Sequence, residues 1–411
     1  MKRFTLLSLT LISFLGSAQL DIKVMCYNVL NYPTGIVNRK DTLEVILNHY
    51  TPDIIMVQEL KSFSGLDEIE DVLNTVSNDT YASGTYVTQQ SNPSSSWKLQ
   101  QNLVYNTRIF GLAQEEAFLT DYRDLNYFKL YIKDDALASS GDTTFLHVFT
   151  THLKSSQGNA NEQIRFEMSQ VLRTRINELL ADSYVLCGGD FNLYTSAEDA
   201  YQHLITQSNV VNPLVDPIDM PGNWHNSNFP NKEILTQSTR LSSLDDGAGG
   251  GVDDRFDFIL QTSNFNNPTG DFRYVQNSYK SLGNNGTCYN QDLINCTTQN
   301  NVPANVLSAL YYMSDHLPVV MEITSDLTLS TTDENNLENI KIYPNPAQDV
   351  FLVKHTSQEV LDVTVFNANG KAVVQTNSNK EISIAHLDRG IYFVLLSNSK
   401  GNQKTKKLVI Q

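Results

Sequence analysis

Tyr184-Val185-Leu186-Cys187-Gly188-Gly189-Asp190-Phe191-Asn192 is the stretch on which the reading of the fold turns. Four apolar or aromatic residues in succession read as a buried strand, which then runs through two glycines into an acid and an amide. Polar groups at the end of a buried strand sit on a rigid support, where layered enzymes carry their chemistry. The same pattern recurs on both sides of it. Upstream, Ile22 to Leu30 reads as a strand closing in Tyr27-Asn28-Val29-Leu30-Asn31-Tyr32, Asp53 to Val57 as one ending at Gln58-Glu59, and Thr144 to Thr151 as one running into Thr151-His152-Leu153-Lys154-Ser155. Downstream, Arg255-Phe256-Asp257-Phe258-Ile259-Leu260 embeds an acid among apolar residues, and Ser314-Asp315-His316-Leu317-Pro318 follows. Asn102 to Tyr105 reads as a further strand. Thr42 to Tyr50, Leu66 to Val76 and Asn161 to Leu180 read as helices, so the expected class is α/β, with helices covering central sheets.

The chain has 411 residues, long for one domain and comfortable for two, with 40% hydrophobic and 18% charged residues, the balance of a globular protein. Lys2 and Arg3 precede an uncharged apolar run from Phe4 to Leu15 and the small residues Gly16, Ser17 and Ala18. That is the pattern of a secretory signal peptide cut after Ala18, and no later stretch is apolar for the length a spanning helix needs. Export permits a local disulfide between Cys288 and Cys296, whereas Cys26 and Cys187 sit in apolar runs and read as small buried hydrophobes. The net charge of −16 removes the long-range basic field of a tight nucleic-acid binder. It leaves a nuclease open, because a divalent cation and a few local cations can neutralise the phosphates engaged.

Singly, each polar cluster has an ordinary explanation as a cap, a turn or a hydrogen-bonded core residue. Asp257 is the exception: a carboxylate between Phe256 and Phe258 needs a partner to offset its desolvation, and the His316 imidazole is the natural one. The stretch from Asn212 to Thr239 reads as a long surface excursion whose Trp224, His225 and Phe229 either touch substrate or pin the loop. Asp245 to Asp254, with four Asp and four Gly, reads as a flexible turn that leaves a structural Ca²⁺ open but lacks the EF-hand ligand order.

Taken together and in order, these clusters resemble the endonuclease/exonuclease/phosphatase superfamily, whose members include DNase I-like nucleases, neutral sphingomyelinases and inositol polyphosphate 5-phosphatases. Gly189-Asp190-Phe191-Asn192 and Ser314-Asp315-His316-Leu317-Pro318 are the specific motifs. The resemblance implies a four-layered α/β sandwich over residues 19–324. It implies that Asn28, Glu59 and Asp315 hold Mg²⁺ or Mn²⁺. It further implies that His316, oriented by Asp257, and Asp190 activate the attacking water, and that His152 and Asn192 donate to phosphate oxygens, with Lys154 as added charge. Leu30 departs from the family pattern where a second polar residue is usual, and Tyr105 reads either as a candidate for the family's middle-region tyrosine or as a residue packed in the core.

Beyond a linker at residues 325–338, short strands separated by turn signals such as Asn369-Gly370 and Arg389-Gly390 read as a small all-β sandwich domain at 339–411. Ile342-Tyr343-Pro344-Asn345-Pro346, Val365-Phe366-Asn367-Ala368-Asn369-Gly370-Lys371 and Gly390-Ile391-Tyr392-Phe393 resemble the type A sorting domains of type IX secretion. That implies the type IX secretion machinery as a partner and passage through the periplasm of a Gram-negative bacterium to the exterior or cell surface. The expectation is thus a secreted, monomeric, metal-dependent phosphodiesterase without stable membrane insertion. Its favoured substrate is nucleic acid, DNA or RNA, with a sphingomyelin or phospholipid phosphodiesterase second and a catalytically silent surface-binding protein third.

Overall fold

The computed structural model describes residues 19–35, 39–225, 229–296, 301–329, 340–354, 360–378, 381–399 and 403–411. The expected signal peptide and most of the expected linker lie outside these residues. In chain order the larger domain comprises β1 (Leu20–Tyr32), α1 (Arg39–His49), β2 (Ile54–Leu60), α2 (Phe63–Val76), β3 (Tyr81–Ser83), β4 (Gln100–Asn106), β5 (Phe110–Phe118), β6 (Leu125–Ile132), α3 (Asp135–Ser140), β7 (Phe145–His152), α4 (Asn159–Asn177), β8 (Tyr184–Asp190), α5 (Asp199–Ile205), β9 (Leu214–Val215), β10 (Asp257–Thr262), β11 (Arg273–Tyr274), β12 (Lys280–Ser281), α6 (Ala304–Met313) and β13 (Val319–Ser325).

These strands form two sheets. One runs β11-β13-β1-β2-β4-β3, with β12 beside β13, and the other runs β5-β6-β7-β8-β10-β9. Val24, Cys26, Met56, Leu103, Phe128, Val148, Leu186 and Ile259 are buried in one cluster where the sheets face each other. The central strands are apolar on both faces because the opposite faces are covered by helices, α1, α2 and α6 on the first sheet and α4 with α5 on the second. The layers are therefore helix, sheet, sheet, helix, the α/β sandwich expected from the motifs. Ser62 starts α2 by accepting from the Gly65 N–H at 3.2 Å.

The sequence reading placed β1, β2, β4, β7, β8 and helices α1, α2 and α4 to within a few residues, but passed over the β5–β6 hairpin and α6. Gln114, Glu115 and Glu116 give β5 an exposed polar edge without clean alternation. Ser325, expected to open the linker, is the last residue of β13 and pairs with Leu20.

The C-terminal module has its own core, with Phe351, Val363, Val365, Val394, Leu396 and Leu408 buried together. Its strands are β14 (Lys341–Tyr343), β15 (Val350–Lys354), β16 (Asp362–Asn367), β17 (Ala372–Asn377), β18 (Ile382–Ser383), β19 (Gly390–Ser397) and β20 (Gln403–Ile410). They form a three-stranded sheet, β14-β15-β18, and a four-stranded one, β17-β16-β19-β20, which is the small all-β unit expected. It rests on α2: Lys341 Nζ reaches Glu70 at 2.8 Å, Lys354 Nζ reaches Asp71 at 3.0 Å and also pairs with Asp67, and the Tyr343 ring packs on Phe63. Cys288 and Cys296 are joined in a disulfide, and Cys26 and Cys187 are buried thiols.

Candidate active site

Strands of both sheets end at one edge of the sandwich, and register aligns their polar residues there. His152 lies opposite Asp190 where β7 runs parallel to β8, and Asp257 lies opposite the same Asp190 where β10 runs antiparallel to it. Across from this row, Asn28 pairs with Gln58 between β1 and β2, so Glu59 comes next, while Asp315 and His316 lead directly into β13. Gly189 makes the row possible. A Cβ on it would stand 2.0 Å from the Thr151 carbonyl oxygen, so only glycine lets β7 and β8 lie this close. Glu59 and Asn192 adopt positive φ angles of 62° and 50°, turning the chain sharply where the site begins. Left-handed backbone at non-glycine residues is costly and concentrates at functional sites.

Eight residues named from the sequence meet here. Asn28 Nδ2 donates to Glu59 Oε1 and to Asp190 Oδ2, each at 3.1 Å, while its Oδ1 accepts from the Leu30 N–H at 3.0 Å. The amide thus ties the two acids together, and a half-turn of it would present the oxygen instead. Glu59 Oε2 also accepts from the Asn31 N–H at 3.2 Å. His316 Nδ1 donates to Asp257 Oδ2 at 2.7 Å, with both side chains almost fully buried. This is the pair expected from the apolar setting of Asp257. On the other side of the ring, His316 Nε2 stands 3.6 Å from Asp190 Oδ2, and His152 Nε2 stands 3.4 Å from the same oxygen. Asn192 donates its backbone N–H to Asp190 Oδ1 at 3.0 Å and its amide to the Leu153 carbonyl at 3.3 Å.

The electrostatics follow from crowding acids in a buried place. Asp190 is pushed up to about 7 by burial and, against the pull of His316, by the like charges of Asp257 and Glu59. Burial, then the Asp315 carboxylate, raises Glu59. Burial works against a charged His316, but Asp257, Asp190 and Asp315 outweigh it and hold the imidazolium well above the usual histidine range. His152 is driven the other way by burial, helped by Arg123, so it is a neutral ring.

The donor set fits a hard divalent cation. Asp315 Oδ1 is buried without a hydrogen-bond partner, and Glu59 is raised by burial and then by the like charge of Asp315, a combination that a bound cation would relieve. Among the described residues two groups bring metal-ligating atoms within 4.8 Å of one another, Glu59 with His152 and Asp190, and Asp190 with Asp257 and His316; Asp315 belongs to neither. Neither draws on the Asp245 to Asp254 turn considered for Ca²⁺, where Asp254 is instead paired with His225.

Several readings change. Trp224 is fully buried and Phe229 nearly so, so they pin the loop rather than meet a ligand. Of the two readings of Tyr105, the structure shows the core one: it is buried between the sheets. Lys154 donates to the Ser155 carbonyl at 2.7 Å rather than standing free. Two residues carried no sequence signal. Gln237 places Nε2 3.0 Å from Asp315 Oδ2 and 2.6 Å from His316 Nε2. Arg123 donates to the Leu153 carbonyl at 2.8 Å, and its buried charge is felt by Glu59 and His152. Both sit in loops with no motif around them.

Comparison with known proteins assigns one of the two modules. Residues 341–411 match the family model described as "Secretion system C-terminal sorting domain". The sorting module marks the chain for export or surface display, and among the described residues no helix is long and apolar enough to cross a membrane. No curated protein matches the chain. Among solved structures, the chain is similar to D. rerio TDP2 complexed with single strand DNA product, at 17% identity and a TM-score of 0.47, over 74% of this chain and 98% of that one. It is similar to an endonuclease/exonuclease/phosphatase family protein from Bacteroides thetaiotaomicron, at 14% identity and 0.46, over 77% and 99%. The human Nocturnin catalytic domain with bound sulfate anion aligns at 14% identity and 0.43, over 74% and 96%.

Proposed function

We propose that residues 19–324 form a divalent-metal-dependent phosphodiesterase of the endonuclease/exonuclease/phosphatase type, exported by the sorting module, with nucleic acid as its substrate. The observation that carries the reading is the alignment of His152, Asp190 and Asp257 across three strand ends, with His316 bonded to Asp257 and facing Asp190. Glu59 and Asp315, with Asn28 after a half-turn of its amide, would hold Mg²⁺ or Mn²⁺, which when bound supplies a Lewis acid for a phosphate oxygen.

The chain's own residues do the remainder. Asp190 Oδ2 and His316 Nε2 face each other and act as the unit that takes the proton of the attacking water. Asp257 fixes the ring of His316 so that Nε2 faces Asp190, and stabilises the imidazolium form of the ring, which lets the pair share the proton drawn from that water. His152 and Asn192 lie on either side of Asp190 and donate to the non-bridging oxygens, where negative charge grows in the transition state. The leaving oxygen departs in line with the attacking one.

A lipid substrate would call for exposed apolar residues to dock on a membrane, and Trp224 and Phe229 are buried and offer none. The test is purified full chain with plasmid DNA, RNA, sphingomyelin and a phosphomonoester, each with Mg²⁺ and with EDTA. Cleavage of DNA or RNA that stops in EDTA supports the proposal; cleavage of sphingomyelin or the monoester alone overturns the substrate, and silence on every substrate overturns the enzyme.

A further inference from the structure

Two features on opposite rims of the site have no role in the chemistry above. On the rim beyond Glu59, Trp97 is the most exposed aromatic side chain among the described residues, 56% open to solvent. Its backbone is clamped by Ser95, whose hydroxyl donates to the Trp97 carbonyl at 2.9 Å and accepts from its N–H at 3.2 Å. Lys61 Nζ stands 5.0 Å from the ring centroid. Lys61 is two residues past Glu59, and its N–H is held by the Tyr32 carbonyl at 2.8 Å. An indole more than half exposed, on a clamped backbone and beside a cation two residues from a candidate metal ligand, contributes little to the core. It does offer a flat face to a planar group.

On the other rim, four chain segments lie side by side in a ribbon, with His225 bridged to Asp254, Asp254 to Gln237 and Gln237 to His316. Three strand spacings put His225 within about 15 Å of His316 along this ribbon. His225 Nδ1 is 2.5 Å from Asp254 Oδ1, which leaves Nε2 on a side chain that is 32% exposed. The Tyr194 ring meets the imidazole edge-on at 4.9 Å, and Tyr194 is two residues past Asn192. The charged and titratable groups around His225 are Asp254, Asp253 and Tyr194, with Arg165 lying 5.2 Å from the centroid of the Tyr194 ring. The Asp254 hydrogen bond raises His225 above the usual histidine range against partial burial. Asp254 thus favours the protonated ring at the rim of a site in a chain of net charge −16.

We propose that these rims are two substrate subsites for a single-stranded polynucleotide, Trp97 with Lys61 stacking a base on one side of the scissile phosphate and His225, held by Asp254 and Tyr194, binding a flanking phosphate on the other. This rests on the phosphodiesterase reading and adds the form of the substrate. Stacking serves any base, because every base has a π face, and one imidazolium serves any phosphate, so the subsites give grip without sequence preference.

The test compares the full chain with Trp97→Ala, His225→Gln and His225→Lys. Binding of a fluorescein-labelled oligothymidylate is measured by anisotropy in EDTA, so nothing is cut, across a salt series. KM in Mg²⁺ is then measured for the same oligonucleotide and for bis(p-nitrophenyl) phosphate, which has no flanking base or phosphate. Trp97→Ala should weaken oligonucleotide binding roughly 5- to 150-fold, the range for one lost base–aromatic stack, without changing the salt slope. His225→Gln should weaken it and make the slope of log affinity against log salt shallower by about 0.7, the value for one phosphate contact to a single strand. His225→Lys should restore both. In both weakened variants KM for the oligonucleotide should rise relative to that for the small diester. A loss in one variant alone overturns the two-sided path, as does a slope unchanged in His225→Gln or an equal effect on the small diester. If the native chain cleaves no phosphodiester at all, the underlying reading fails; if it cleaves them and the variants bind like native protein, only the subsites fail.

Discussion

The bond between His316 and Asp257 sets a quantitative expectation for a double-mutant cycle. Asp257→Asn keeps the shape of the side chain, and because Asp257 Oδ1 has no other hydrogen-bond partner, the change falls on the 2.7 Å contact to His316 Nδ1. A hydrogen bond to a charged group contributes about 1.5–3 kcal/mol, which at about 1.4 kcal/mol per tenfold corresponds to a roughly 10- to 150-fold loss of turnover. His316→Ala removes the ring altogether and should lower turnover by at least about 10²-fold, the usual contribution of acid–base help. With no imidazole left to orient, Asp257→Asn should then cost almost nothing more. The double variant should match His316→Ala, with a coupling energy equal to the Asp257→Asn loss. Initial rates at saturating Mg²⁺ on the best substrate of the panel measure this, with circular dichroism to verify folding. Fully multiplicative losses would show that the two residues do not act as partners and would refute the assignment of Asp257.

Three further outcomes are expected. Asp190 is raised to about 7, so in EDTA its contribution to stability is full below the unfolded value near pH 4 and is lost as pH rises through about 7; urea midpoints for Asp190→Asn should fall less steeply across that window than those of the native chain, and parallel profiles would refute the shift. The Arg255 guanidinium is forked onto Asp216 at 2.8 and 3.0 Å with both side chains buried, so Asp216→Ala should lower unfolding free energy by about 3–5 kcal/mol in urea titration, and a change under 1 kcal/mol would contradict it. Intact mass of the protein recovered from culture medium should show neither residues 1–18 nor the sorting module, and a full-length C-terminus on free protein would count against processing.

Much of the site was legible because its residues sit at the ends of buried strands, where apolar runs stop abruptly at polar groups. Asn28, Glu59, His152 and Asp190 announce themselves in this way, Asp257 and Asp315-His316 stand where strands begin, and the fold then brings them together. Asp257 even named its partner, since a carboxylate between two phenylalanines needs one. Gln237, Arg123 and the His225–Asp254 pair were beyond the sequence because loops deliver them. Their positions depend on how long connections fold back over the sheets, and no local period encodes that. The β5–β6 hairpin was missed for a different reason: its outer edge is polar and solvated, so the alternation that marks a half-buried strand is blurred. Trp224 misleads in the opposite sense, being a large aromatic in a polar loop that turns inward onto Phe258 and Tyr201.

The central claim, that acids at the strand ends hold a catalytic divalent cation, is tested most directly by titrating the EDTA-stripped chain and Glu59→Gln with Mn²⁺ while following bound metal by electron paramagnetic resonance and turnover in the same samples. Glu59→Gln preserves volume and the partner Asn28 but removes an anionic ligand. The account expects the native chain to gain turnover in step with bound Mn²⁺. It expects Glu59→Gln to need at least about tenfold more metal for the same occupancy, equivalent to about 1.4 kcal/mol of lost ligation. Turnover that survives EDTA, or identical binding curves for the two proteins, would contradict it.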